Sequence, residues 1–215
     1  MIRRLMPVAL LALVVAPVAA QTSVRARLEG RVPAAIIATV DSIVAQAAAR
    51  DLPTEPLIQK ALEGGAKGVA ADRILAAVQL VHTRLSAAGV AIDRAGVGRS
   101  PAAIEAGAFA LTAGLSDQDV SALVRGAADE PTQALRVAAT LSALGVPAAE
   151  TVALVTSTVA AGADVTVLPQ TVQAAMTRGA TPAQAARLAQ GGGGGRGQPH
   201  GPPPDRPSRP NPKKP

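Results

Sequence analysis

A helix-start signal recurs along this chain at a nearly constant interval, and that interval restricts the possible folds more than any other feature. GLSDQDVSALV begins at Gly114, DEPTQALRVAA at Asp129, GVPAAETVALV at Gly145 and GATPAQAARLA at Gly179, with GADVTVLPQTV at Gly162 a looser member. DLPTEPLIQKA at Asp51, GVAADRILAAV at Gly68 and GRSPAAIEAGA at Gly98 can be laid on the same frame. From Gly98 onward, successive members stand 15 to 17 residues apart. Each unit therefore has room for one helix of roughly ten to fourteen residues, and two units span about 33, the size of a helical hairpin in solenoid repeats.

The signal has a physical basis. Glycine closes a helix, and a proline or a capping side chain opens the next. Proline suits a first helical turn because that turn needs no N–H from it and its φ is already helical. Pro33, Pro53, Pro56, Pro101, Pro131, Pro147 and Pro182 all stand at or shortly before an apolar stripe. Ser116 with Asp119, and Thr181 with Gln184, have the spacing of a reciprocal capping box.

The apolar residues follow the helical period. Ile36, Ile37, Val40, Ile43, Val44 and Ala47 share one face, as do Leu57, Ile58, Ala61 and Leu62, and then Ile74, Val78, Val81 and Leu85. Gly64, Gly65 and Gly68 are expected to end the second of these helices, and Ala87 to Arg99, which breaks the frame, to form a longer connector. Alternating β-branched and aromatic runs are scarce, so a sheet is not expected. The expected fold is all-α, with short antiparallel helices in a helical-hairpin stack or a compact irregular bundle. The chain has one phenylalanine, Phe109, and no tyrosine or tryptophan. A core this rich in alanine buries little area per residue, so it depends on close approach between helices.

Three regions are expected. Residues 1–20 have a short basic start, an apolar stretch and small residues before Ala20, the pattern of a cleaved signal peptide. Residues 21–190 form the helical domain. Residues 191–215, rich in Gly and Pro, contain no large apolar side chain to offset the entropy of ordering, so they are expected to be disordered. The export pattern places the protein in the periplasm or outside the cell. Residues 21–190 contain fourteen bases and fourteen acids, so the basic excess of the chain lies in its ends. A nucleic-acid-binding domain would carry that excess on its folded part. With no cysteine, disulfides, thiol catalysis and thiolate metal sites are excluded.

No catalytic, cofactor-binding or metal-binding constellation emerges. His82 has no carboxylate three or four residues away, where a helix would bring one alongside. Asp72, the Asp117/Asp119 pair and the Asp129/Glu130 pair sit at helix starts, where the helix dipole favours acids and capping is the expected role. Gly96 to Ser100 lacks the third glycine and the preceding strand of a dinucleotide-binding turn. Arg196, Arg206, Arg209, Lys213 and Lys214 in the tail are the candidate polyanion-binding residues, through diffuse attraction to anionic surfaces. The expected function is that of an exported, non-enzymatic scaffold or protein-interaction module of the cell envelope. The alternative is a protein that uses its basic tail to attach to envelope polyanions. The corresponding partners are an envelope protein or an anionic envelope polymer, with no specific nucleic acid and no membrane span once the signal is removed.

Overall fold

A computed structural model describes residues 24–192, and among them helix follows helix with short links and no strand. A helical turn over 24–28 leads into α1 (Ala34–Ala48), α2 (Glu55–Ala66), α3 (Ala71–Ala95), α4 (Pro101–Thr112) and α5 (Asp117–Gly126). Then come α6 (Pro131–Ala143), α7 (Ala148–Ala160), a 3₁₀ turn (Val165–Val167), α8 (Leu168–Thr177) and α9 (Pro182–Gly192). The residues read as a signal peptide lie outside this range.

The recurring signal is a helix-ending device. Asp51, Gly68, Gly114, Gly145, Gly162 and Gly179 all have left-handed backbone. After each of them, the next N–H reaches back to the carbonyl five residues earlier: Leu52 to Ala47 at 3.0 Å, Leu115 to Ala110 at 3.2 Å and Val146 to Leu141 at 3.1 Å are three of the six. This is the Schellman closure, which satisfies carbonyls that the last helical turn leaves open. The residue that makes the bond is often apolar and turns into the core, as Leu52, Leu115 and Val146 do. Next comes the restart. Ser116 and Asp119 form a complete capping box, and Thr181 and Gln184 exchange backbone bonds of 3.0 and 3.3 Å.

Asp51 is the one non-glycine residue with left-handed backbone among those described, at φ 54°. Gly114, at φ 98°, has no atom within 4 Å of where a Cβ would stand, so a side chain there meets strain without a clash. Left-handed backbone costs an ordinary L-residue about 1–2 kcal/mol. Gly114→Ala is therefore expected to lower unfolding stability by about that much, and Asp51→Gly to raise it by a smaller amount, since Asp tolerates this region better than Ala does. Urea melts of the two variants test this, and equal shifts of the same sign would refute it.

Among the described residues, all close helix–helix contacts join nearest or next-nearest neighbours in the chain. The odd helices form one continuous row, α1 on α3, α3 on α5, α5 on α7 and α7 on α9, while α4, α6 and α8 form a second. The compact bundle thus has the connectivity of a hairpin stack, in which each unit depends on its neighbours for burial. One core runs through it, from Leu28 and Val40 through Val78, Leu85 and Ile104 to Leu135, Leu154 and Val172. The stripes read from the period are the buried faces. Ile36, Val40, Ile43, Val44 and Ala47 are buried on α1, and Ile37 is half-buried.

Two expectations are corrected. Gly64 and Gly65 lie inside α2, and only Gly68 closes it. A Cβ on Gly65 would stand 2.0 Å from the carbonyl oxygen of Arg31, and one on Gly64 would stand 2.6 Å from Ile74. These glycines allow close packing and do not end the helix. Residues 87–95 are likewise no connector, because α3 continues unbroken to Ala95 and Gly96 closes it. Its stripe extends through Ala88 to Ile92, but small residues weaken the signal. At 25 residues α3 is long and apolar enough to cross a membrane by length and composition. Here it packs against α1, α2, α4 and α5, the position of a central helix. Close approach recurs at Gly107 of α4, where a Cβ would come within 3.0 Å of the Ala88 Cβ on α3.

Candidate functional site

Both α2 and α4 pack on α3, but they do not pack closely on each other. A groove of about 180 Å³ opens between them, lined by Pro56, by Val81, Arg84 and Leu85 of α3, and by Glu105, Ala108, Phe109 and Thr112 of α4. The buried face of α4 is made by Ala103, Ile104, Ala106, Gly107, Ala108 and Ala110. That leaves Phe109, the only aromatic side chain of the protein, 52% exposed at the groove. Arg84 Nη1 donates to Thr112 Oγ1 at 2.8 Å, and that hydroxyl donates to the Ala108 carbonyl at 2.8 Å. The groove is thus apolar, with one base and one acid on its lining. It is smaller than the ~300–1,000 Å³ of a small-molecule pocket. It has room for one or two apolar side chains.

A second cleft, of about 410 Å³, lies where the end of α5, the link to α6 and the end of α7 converge. Ala127, Ala134, Val159 and Val165 supply its apolar lining, and Arg125, Asp129, Glu130 and Asp164 its charges. Arg125 donates to the buried Ser121 hydroxyl at 2.8 Å. Asp164 accepts from the Thr166 hydroxyl at 2.7 Å and its N–H at 2.8 Å, which hold its pKa below the usual carboxylate value. The capping role expected for Asp129 and Glu130 does not hold. Glu130 stands at the N-cap of α6 without a side-chain bond. Both residues are exposed, and neither has an ion-pair partner among the described residues.

His82 is half-buried on α3. Its Nε2 is buried without a hydrogen-bond partner among the described residues, as is the Ser86 hydroxyl one turn on. Burial, and secondarily the Arg50 charge, lower its pKa below the ordinary imidazole value. The unfolded chain takes up this proton near pH 6.5 and the native state only at lower pH, so stability falls as the pH drops below about 6.5. Glu55 is held at about 2 by hydrogen bonds from Arg27 and then Gln59, and Glu63 at about 2 by bonds from Lys60 and Lys67. Those acids begin to cost stability only below about pH 4.3. His82→Gln is thus expected to flatten the fall in urea midpoint between about pH 6.5 and 4.5, leaving the steeper acid limb in place. If the two pH profiles superimpose, His82 is not the cause.

The remaining positions singled out in the sequence are structural or undescribed. Asp119 completes its capping box, Asp72 and Asp117 lie in the first turns of α3 and α5, and Ser100 caps α4 by accepting from the Ala103 N–H at 3.1 Å. Arg196, Arg206, Arg209, Lys213 and Lys214 lie outside the described residues. No group of three or more His, Asp or Glu side chains suited to a metal ion occurs among the described residues. No known family model, curated protein or solved structure matches this chain. Phe109 is not among the site residues expected from the sequence, although the signal is present in it: a lone aromatic on an alanine-rich helix, opposite the small-residue face that packs into the core.

Proposed function

We propose that this chain is an exported, non-enzymatic scaffold or protein-interaction module of the cell envelope, and that a partner protein docks an apolar segment into the groove beside Phe109. The observation that carries the reading is Phe109 itself, a large aromatic surface left half in water at a groove sized for side chains. Aromatic anchors of this kind dominate binding energy at protein interfaces. The recurrent helical hairpins support the same reading, because such stacks present extended surfaces to peptides and proteins. Export rests on the pattern of residues 1–20.

The test is Phe109→Asp. Phe109 is half-exposed, so folding stability should change by no more than about 1 kcal/mol. Removing a binding hot spot costs about 2 kcal/mol or more, roughly a thirtyfold loss of affinity. A photo-crosslinking phenylalanine analogue at position 109 should give a discrete adduct in the intact envelope, and one at the similarly exposed Val90 should not. Recovery of the same partner at undiminished affinity by the Phe109→Asp protein would end the groove hypothesis.

The charge distribution favours a second reading. The tail from Gly191 carries five bases against Asp205, on a domain that is neutral overall. Attachment to anionic vesicles or polysaccharide through that tail would weaken steeply with salt and disappear when residues 191–215 are removed.

A further inference from the structure

The 410 Å³ cleft and the end of the described chain both lie toward the C-terminal end of α7. Helix α9 runs alongside α7 in the same direction, with Arg187 beside Glu150 at 3.4 Å and, further along both helices, Gln190 bonded to Ser157 at 3.4 Å. Ser157 is two residues from Val159, which lines the cleft, and Gln190 is two residues from Gly192, where the description ends. Twenty-three residues follow. At about 3.1 Å per residue in extended polyproline form, they reach several times the ~10–12 Å width of a helix, enough to pass around α7 to the cleft.

Charge points the same way. From Gly114 to Gly192 there are four bases and six acids, whereas residues 193–215 hold five bases and one acid. The cleft has three carboxylates against Arg125. Asp129 and Glu130 serve no cap and no ion pair among the described residues, and Asp164 is held ionised by Thr166. The groove at Phe109 is less suited to a basic segment, since Arg84 and Glu105 balance there and it lies among α2, α3 and α4, toward the other end of the stack.

We infer that the basic, proline-rich segment 193–215 docks in cis on the cleft, its Arg and Lys side chains against Asp129, Glu130 and Asp164 and its prolines over Ala127, Val159 and Val165. Tethering places the segment at an effective concentration on the order of millimolar. An intrinsic affinity of only about 1 mM would then keep the segment docked about half the time. A polyanion would compete with the cleft for the same five bases, so docking would set how readily the tail reaches such a surface.

The absence of cysteine allows a single spin label to be placed at S208C in the full ¹⁵N-labelled chain. Amide signals of Ala128 to Glu130 and Ala163 to Val165 should be lost to paramagnetic broadening. They should return in 1 M salt, where the screening length falls to about 3 Å, and in the D129N/E130Q variant. Unchanged amide positions away from the cleft show that this variant is folded, and the salt arm does not depend on it. Broadening centred on the Phe109 groove, or spread evenly over the surface, would overturn the inference. So would broadening that survives salt, or broadening transferred to ¹⁵N chains mixed with spin-labelled ¹⁴N chains, since that would mean docking between molecules.

Discussion

Leu135→Ala is expected to lower the stability of the folded chain by about 2–5 kcal/mol, a large share of the ~5–15 kcal/mol available to a domain of this kind. Leu135 is fully buried on α6, the helix that packs on α4, α5, α7 and α8. Truncation loses the transfer energy of the missing carbons and leaves a cavity. Collapse of that cavity is hindered, because many of the other buried residues on α4 and α6 are alanines. Alanine has no rotamer with which to fill a void, so whole helices would have to shift. By contrast Leu80→Ala, at a side chain 50% exposed, should cost under about 1 kcal/mol. Urea melts at constant m-value provide the measurement. A Leu135→Ala loss no larger than that of Leu80→Ala would mean that this core is not close-packed.

Gly65→Ala is the second large effect, and two terms compete in it. Alanine in a helix interior is favoured over glycine by about 1 kcal/mol. Against this, the new Cβ would stand 2.0 Å from the Arg31 carbonyl oxygen and 3.0 Å from its carbonyl carbon. The obstacle is backbone, which cannot rotate away as a side-chain tip can, and forced repacking costs typically 1–3 kcal/mol and sometimes more. At so short a separation the cost should be at the upper end or beyond, so the net change is destabilising. Gly191→Ala is the control. Gly191, in the last turn of α9, has nothing among the described residues within 4 Å of a would-be Cβ, so Gly191→Ala carries no steric cost. If Gly65→Ala proved as benign as Gly191→Ala, the segment around Arg31 would not rest on α2.

The same contrast shows where sequence reading succeeds and where it stops. Gly114 and Gly145 were legible as helix ends because the Schellman closure is confined to a few consecutive residues, and a glycine followed by an apolar residue and a cap contains the whole of it. Gly65 has the same residue type and the opposite role, and nothing within its own helix says so. The capping boxes at Ser116 and Thr181 were legible for the same local reason. Asp129 and Glu130 sit at a helix start like the others, yet they cap nothing. Their place at the rim of a cleft depends on Val159 and Val165 arriving from α7 and the 3₁₀ turn.

The sequence by itself determined that the described chain is helical, where most helices begin and end, and which faces they bury, because capping, left-handed closure and the 3.6-residue period act within one or two turns. Only the tertiary structure decided which glycines are contact points, that α3 is one long central helix, that a groove remains between α2 and α4 beside Phe109, and that the carboxylates of Asp129 and Glu130 line a cleft completed by residues from α7 and the 3₁₀ turn. Each of these depends on the separation between segments remote in the chain. That separation is set by how closely small side chains let whole helices approach, and no short stretch of residues encodes it.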